Sequence, residues 1–231
     1  DFLEKHSDLD MVFSDYVYET DNTKNNRLQE LNFVNSIQSA IQLKEDGRLI
    51  FNSKFYREYL RFTIWPIWTG TVMLKKALVR EIGLFRTDTS IAEDVDFFIR
   101  IIKKYKIGFI DDALSCYKRI RSTLTKNYEQ YIVGGVTLRI AILKEELSKY
   151  VDEQSDYKTI KVIKIKIYKD YLELGRHYLR NFKIKEARLA LLKGLSYRPL
   201  PSITYLFLII STLPMSFQLA MRKTKFFLRN N

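Results

Sequence analysis

The chain has 231 residues, of which 46% are hydrophobic and 29% are charged. That hydrophobic fraction supports a packed core and excludes a chain that is disordered along its whole length. The single cysteine, Cys116, excludes an internal disulfide framework and is typical of a reducing compartment. We therefore expect a folded protein in the cytoplasm.

The net charge of +12 is concentrated in the last third of the chain. From Lys161 onward there are 15 Lys or Arg residues and three Asp or Glu residues, whereas residues 1–160 hold 24 of each kind. This asymmetry predicts an anionic partner, either a membrane face or a nucleic acid. The basic residues alternate with Leu and Ile as in amphipathic helices and form no recognised nucleic-acid motif, so we expect no nucleic-acid partner.

The first part of the chain predicts alternating strands and helices. Residues 11–18, rich in β-branched and aromatic side chains, predict a strand, and the mixed, polar residues 19–60 predict loops and short helices. Residues 69–74 predict a second strand. A short helix follows, with Gly83 placed just beyond its C-terminus.

A longer helix is predicted within residues 90–105, "SIAEDVDFFIRIIKKY". Apolar residues at 97, 98, 101, 102 and 105 form one helical face, and lysines in the last turn suit the helix dipole. Two short strands are predicted next, at residues 107–111 and 113–119. The alternation predicts an α/β class for about the first 120 residues.

Three acids, Glu93, Asp94 and Asp96, stand where this helix begins, and two interpretations are open. Ser90 and Glu93 have the spacing of a capping box, and acids in a first turn are stabilised by the helix dipole. Asp94 and Asp96 exceed what capping requires. The second interpretation is that the acids belong to an active site.

The C-terminal part, residues 126–231, predicts helices. Residues 160–169 alternate in polarity, so a local strand stays open there. Small residues suit close approach in a helical hairpin: Gly175, Ala187, Ala190 and Gly194. No charge falls between Arg198 and Arg222, so this segment predicts packed helices, an amphipathic surface helix or a membrane span. The two histidines, His6 and His177, are predicted at the surface.

The order of motifs between residues 2 and 125 resembles the second half of the family 2 glycosyltransferases of the GT-A fold. A strand with the small-residue turn "TGT" leads to a helix ending "IGLF", and then to "EDVD" with Arg100. The strand "IGFID" and a strand containing Tyr117 follow. The resemblance implies an incomplete GT-A-type (Rossmann-like) domain at residues 1–125 and an all-α helical-hairpin extension at residues 126–231.

The resemblance also implies a reaction and a set of roles. A sugar passes from a nucleotide-diphosphate donor to an acceptor hydroxyl with inversion, and Asp94 is the general base. Glu93 and Asp96 are implied substrate-binding residues: Glu93 caps the helix or holds a backbone group, and Asp96 orients the helix or makes an acceptor-side contact. Arg100 pairs with an acid. The remaining implied substrate-binding residues are Trp65, Gly70, Thr71, Arg119 and Arg121, with Trp68 interpreted rather as a packing residue.

Part of the family pattern is missing. The family's nucleotide-binding half and its D-x-D motif for Mg²⁺ or Mn²⁺ precede the matched region, so we expect those metal ligands outside this chain. The string Asp8 to Asp10 stands in the wrong place and is interpreted as an ordinary turn. Because the chain begins at Asp1 within a predicted helix end, we expect it to be N-terminally incomplete and inactive alone.

The resemblance suggests cell-surface polysaccharide or lipopolysaccharide synthesis, with a glycan or lipid-linked acceptor, at the inner face of the membrane. The alternative is a non-catalytic helical module that docks on a membrane or a protein partner.

Overall fold

The structure, a computed structural model, describes residues 2–20, 23–62, 65–88, 91–118, 128–150, 156–198 and 202–213. Within 128–150, side chains are described from residue 133 onward. The chain divides into two compact units, unit 1 (Asp1–Asn127) and unit 2 (Tyr128–Asn231).

Unit 1 combines short helices with a six-stranded sheet. Its described strands are β1 (Met11–Glu19), β2 (Lys24–Asn26), β3 (Ile41–Glu45), β4 (Arg48–Phe51), β5 (Val72–Leu74) and β6 (Ile107–Lys118). Its described helices are α1 (Phe2–Lys5), α2 (Arg27–Glu30), α3 (Phe33–Ser36), α4 (Phe55–Tyr59), α5 (Lys76–Ile82) and α6 (Glu93–Lys104), with 3₁₀ turns at Gln38–Ala40 and Thr69–Thr71.

The strands pair in the order β2-β1-β6-β4-β3, and β5 pairs with β1. β1 and β6 run parallel, and the other pairs described are antiparallel. The predicted mixture of strands and helices is therefore confirmed for unit 1. Gly83 follows α5 with φ of 83°, as predicted for a residue that ends a helix.

The interpretation of residues 19–60 as loops and short helices was wrong in part, because β3 and β4 form a hairpin there. Asp46 and Gly47 connect the strands with φ of 44° and 71°, the paired positive values of a tight hairpin turn. The carbonyl of Gly47 accepts a hydrogen bond from the amide of Asp111 at 2.7 Å, which ties the turn to β6.

The predicted pair of strands after α6 was also wrong, because β6 is one strand that changes register against β1. Ser14 lies opposite Ile110, but Tyr18 lies opposite Tyr117, so β6 contributes three more residues than β1 between these pairs. Bulges accommodate extra residues without ending a ladder. The residues that we interpreted as a break between two strands therefore mark a register shift within one strand.

The buried carboxylate of Asp15 lies at this shift. It is fully buried, and it accepts hydrogen bonds from the amides of Tyr16 and Leu28 at 2.7 Å and of Gln29 at 3.2 Å. Two of these donors belong to the first turn of α2, where helical N–H groups lack partners within the helix. Asp15 therefore fixes α2 against β1.

The core of unit 1 is aromatic. Phe13 on β1 contacts Phe109 on β6, with ring centroids 5.0 Å apart, and Phe51 stacks on Phe55 at 3.9 Å. The predicted apolar face of α6 is confirmed, since Phe97, Phe98, Ile101 and Ile102 are buried.

We predict that Asp15→Asn destabilises the protein by at least about 2 kcal/mol, because an amide group cannot accept all three hydrogen bonds and its own N–H₂ meets other donors. Urea unfolding followed by circular dichroism measures the loss. Asp112→Asn, at an exposed carboxylate of β6, is the matched control and should stay within about 0.5 kcal/mol. An equal effect of the two substitutions would contradict the role of Asp15.

Unit 2 is helical where it is described. Its helices are α7 (Tyr128–Ser148), α8 (Tyr157–Arg180), α9 (Ile184–Leu195) and α10 (Ser202–Ile210). The alternative of a strand at residues 160–169 was wrong, because the whole segment lies in α8. Asp156 caps that helix by accepting a hydrogen bond from the amide of Thr159 at 3.0 Å.

Small residues allow α8 and α9 to pack closely, as predicted. A Cβ atom on Gly175 would lie 2.6 Å from Cδ2 of Leu191, and one on Gly194 would lie 3.1 Å from Cβ of Tyr171. Leu179, Leu191 and Phe207 are buried in one cluster, which joins α8, α9 and α10 in a shared core.

Charged residues also lie inside unit 2. Lys166 and Asp170 on α8 are each 1% exposed and pair at 3.2 Å, and Arg139 on α7 reaches the same Oδ1 of Asp170 at 3.3 Å. Burial lowers the pKa of Lys166, and the charge of Asp170 acts in the opposite direction. His177 is buried on α8, so its predicted surface position was wrong.

The uncharged segment predicted between residues 199 and 221 is described only at residues 202–213, where α10 forms. In the described ranges, no helix is both long enough and apolar enough to cross a bilayer.

We predict that Gly175→Ala destabilises the protein by about 1–3 kcal/mol, since the added methyl group overlaps Leu191. In a Leu191→Ala background the same substitution should cost little, because the space is open. Chemical unfolding of the two single variants and the double variant measures this coupling. Strictly additive effects would show that helix propensity, and not the contact, decides the outcome.

Candidate functional site

Helix α6 begins at Glu93, after Ala92 in the left-handed conformation with φ of 60°. The carbonyl of Ala92 accepts from the amide of Val95 at 3.2 Å, and Glu93 is the first helical residue. A capping box needs the glutamate at the third helical position, so the predicted box with Ser90 was wrong in geometry. Ser90 itself lies outside the described residues.

Asp96 is occupied by ion pairs. Its carboxylate accepts from Nε of Arg100 at 2.9 Å, and Arg86 lies 4.0 Å away. The Arg100 guanidinium also donates to the carbonyls of Ile82 at 2.6 Å and Leu84 at 2.9 Å. Asp96 and Arg100 therefore fasten the segment after α5 to α6. This arrangement fits the prediction that Arg100 pairs with an acid and that Asp96 orients the helix.

Asp94 is a half-buried carboxylate that makes no ion pair with any Lys or Arg in the described ranges. Its Oδ1 accepts from the amide of Val95 at 2.9 Å. Burial raises the pKa of Asp94, and the charge of Glu93 raises it further, while backbone hydrogen bonds lower it. The helix dipole was expected to favour ionisation, but burial and Glu93 outweigh it.

Aromatic residues lie beside Asp94. Tyr59 at the end of α4 is fully buried, and the charge of Asp94 adds to burial in raising the pKa of Tyr59 well above its ordinary value. The ring of Trp65 lies 4.9 Å from that of Tyr59. Among the described residues, none forms a hydrogen bond with the Tyr59 hydroxyl. Asp94 therefore interacts electrostatically with Tyr59, and Tyr59 in turn packs against Trp65.

A second aromatic group surrounds Trp68. Its ring lies 5.2 Å from that of Tyr16 and 5.1 Å from that of Tyr117. A Cβ atom on Gly70 would lie only 2.6 Å from the Trp68 ring, so the glycine leaves room for the indole. The hydroxyl of Thr71 donates to the carbonyl of Trp68 at 2.7 Å, which holds the 3₁₀ turn.

Tyr18 extends this group along the sheet. It stacks on Tyr117, with centroids 5.6 Å apart, and the guanidinium of Arg27 lies 5.2 Å from its ring centroid. Tyr16, Tyr18 and Tyr117 stand in the C-terminal halves of the parallel strands β1 and β6. Ligands of parallel sheets generally bind at the carboxyl ends of the strands.

The predicted site residues thus fall into two groups. Trp65 packs on Tyr59, whose pKa the charge of Asp94 raises, whereas Gly70 and Thr71 support Trp68 beside Tyr16 and Tyr117. Arg119 and Arg121 lie outside the described residues. Tyr59 was missed: its i, i+4 spacing from Phe55 indicates a buried helical face, but no signal along the sequence brings it to Asp94.

The acidic side chains just before β1 form ion pairs with lysines. Asp8 pairs with Lys106, and Asp10 lies 3.8 Å from Lys75 and accepts from the amide of Lys106 at 3.2 Å. No group of three or more His, Cys, Asp or Glu side chains in the described part of the chain is placed to hold a metal ion. The residues described do not fit a metal on a diphosphate.

Comparison of the chain with models of known protein families, and with curated proteins, finds no match.

We predict that Asp94→Asn stabilises the folded protein at neutral pH. The pKa of Asp94 is raised on folding, so its carboxylate destabilises the fold as pH rises through and beyond its unfolded value of about 3.8. Thermal unfolding at neutral and at acidic pH measures the effect, and the gain over the parent protein should shrink as pH falls. A lower melting temperature at neutral pH would contradict this electrostatic account.

Proposed function

We propose that the protein is an inverting glycosyltransferase in which Asp94 is the general base. One observation carries the proposal: Asp94 is half-buried and, unlike Asp96, makes no ion pair in the described residues, and burial together with the charge of Glu93 raises its pKa. A carboxylate of this kind accepts a proton more readily than an ordinary aspartate. The order of motifs that resembles family 2 glycosyltransferases supports the same assignment.

The proposed step moves one proton and exchanges one bond. The acceptor hydroxyl gives its proton to Asp94 as its oxygen forms a bond to the anomeric carbon of the donor sugar. The bond from that carbon to the nucleotide diphosphate breaks, and the diphosphate leaves with the electron pair. Attack opposite the leaving group inverts the anomeric centre.

Aromatic surface supplies the proposed sugar contacts. Trp65 adjoins Tyr59 beside Asp94, which suits an acceptor ring, because the apolar faces of sugars pack on aromatic rings. The group of Tyr16, Trp68 and Tyr117 offers a second such wall. Glu93 has a distinct role in this scheme, since its charge raises the pKa of the base.

The donor side of the reaction stays a proposal from the resemblance. Mg²⁺ or Mn²⁺ would neutralise the leaving diphosphate, and the described residues include no cluster of three or more His, Cys, Asp or Glu side chains that could hold it. Arg119 and Arg121 are proposed to contribute positive charge there. The setting we propose is cell-surface polysaccharide or lipopolysaccharide synthesis at the inner face of the membrane, with a glycan or lipid-linked acceptor.

We predict that Asp94→Asn lowers kcat for sugar transfer by at least about 100-fold while binding of the donor is nearly unchanged. The protein is incubated with a panel of nucleotide-diphosphate sugars and of glycan or lipid-linked acceptors, and release of the nucleotide diphosphate is measured. Asp112→Asn removes an exposed carboxylate from β6 and is the matched control, with activity equal to the parent's. Near-parental kcat in Asp94→Asn would remove Asp94 as the base.

The pH dependence gives a second test of the same assignment. Because the base must be ionised, kcat/KM should fall with decreasing pH through a pKa above the ordinary aspartate value of 3.8. Glu93→Gln removes the neighbouring charge and should move this acidic limb to lower pH. A limb that does not move would show that the titrating group is not Asp94.

A further inference from the structure

Unit 2 exposes large apolar side chains on the outward sides of α9 and α10. We define the apolar patch as Leu189, Leu192, Tyr205, Leu206 and Ile209, whose exposed fractions run from 41% to 60%. Several large apolar side chains exposed on two packed helices mark a binding surface more often than a single exposed leucine does.

The sides of α9 and α10 opposite the apolar patch pack inside unit 2. Ala187 and Leu191 of α9 and Phe207 of α10 lie in the shared core with α8. Arg188 on α9 donates to Oγ of Ser211 at 3.0 Å and to its carbonyl at 2.8 Å, just beyond the end of α10. The patch residues point away from that core. Each helix is therefore two-sided, with one side packed inside unit 2 and the other exposed.

Charge around the patch is predominantly positive. Residues 184–210 hold four Lys or Arg residues and one acid, Glu186. Lys185 and Lys193 stand four residues before and after Leu189, exposed on α9, and neither pairs with an acid in the described residues. Helix α10 contains no charged residue. An apolar surface edged by unpaired lysines is complementary to an anionic lipid surface.

We propose that the apolar patch is a membrane-docking surface that lies on anionic bilayers. The patch side chains enter the interfacial region, and Lys185 and Lys193 meet lipid phosphates. The charge around the patch favours an anionic bilayer as the occupant, because Lys185 and Lys193 flank Leu189 and Glu186 is the one acid among residues 184–210. The one polar group, the hydroxyl of Tyr205, sits on an aromatic ring, which is a side chain favoured at membrane interfaces. This surface does not depend on the proposed sugar transfer.

The test is co-sedimentation of the full chain with vesicles of phosphatidylcholine containing phosphatidylglycerol, and with vesicles of phosphatidylcholine alone. We expect binding to the anionic vesicles, and a decrease of at least about tenfold in partitioning for Leu189→Glu/Leu192→Glu. The matched control is Met73→Glu/Leu114→Glu, which places the same charges at two exposed apolar residues of unit 1 and should bind as the parent does.

A second pair of variants tests the charge. Lys185→Gln/Lys193→Gln should weaken binding about 30-fold at low salt, whereas Lys158→Gln/Lys161→Gln, at exposed positions of α8, should weaken it less. Parental binding by the Leu189→Glu/Leu192→Glu variant would overturn the proposal and assign the binding to another segment. Absence of vesicle binding, with a dimer in light scattering that these substitutions dissociate, would overturn it in favour of a second copy of the chain.

Discussion

The parallel pairing of β1 with β6 is the constraint on which unit 1 depends. β1 also pairs with β2 and β5, and β6 pairs with β4, which in turn pairs with β3. Every strand of the sheet is therefore positioned by this pair. The pairing changes register at Asp15, whose carboxylate fixes α2 at the same point. Without the three added residues of β6, Tyr18 would lie opposite Leu114 and not Tyr117. The aromatic surface at the strand ends is therefore a product of the bulges.

The acids of α6 illustrate how similar residues take different roles over one helical turn. Asp96 is satisfied by Arg100, which also binds two carbonyls, and it stabilises the join between α5 and α6. Asp94 lies two residues away and makes no ion pair in the described residues that would offset the cost of its burial. Its charge raises the pKa of the buried Tyr59. Folding tolerates this carboxylate because the aromatic core and the Asp96–Arg100 pair hold the helix independently of it. Local strain of this kind, surrounded by a stable frame, is common at functional sites.

Much of the fold could be predicted because periodicity is local. The apolar spacing that identifies α6 and the small residues between α8 and α9 act over a few positions each. The β3–β4 hairpin was missed although Asp46–Gly47 is a strong turn signal, since β3 is short and mostly exposed and β4 has three consecutive buried residues in place of an alternation. The join within β6 and the place of Tyr59 could not be predicted. Both depend on contacts between residues that are far apart in the chain.

The buried charges of unit 2 limit how its helices can move. Arg139 on α7 and Lys166 on α8 share one oxygen of Asp170. Apolar helices could slide by a turn and repack, but here a slide of about 5 Å would separate Arg139 on α7 from the carboxylates of Asp170 and Glu173 on α8. These ion pairs therefore favour one alignment of α7 with α8.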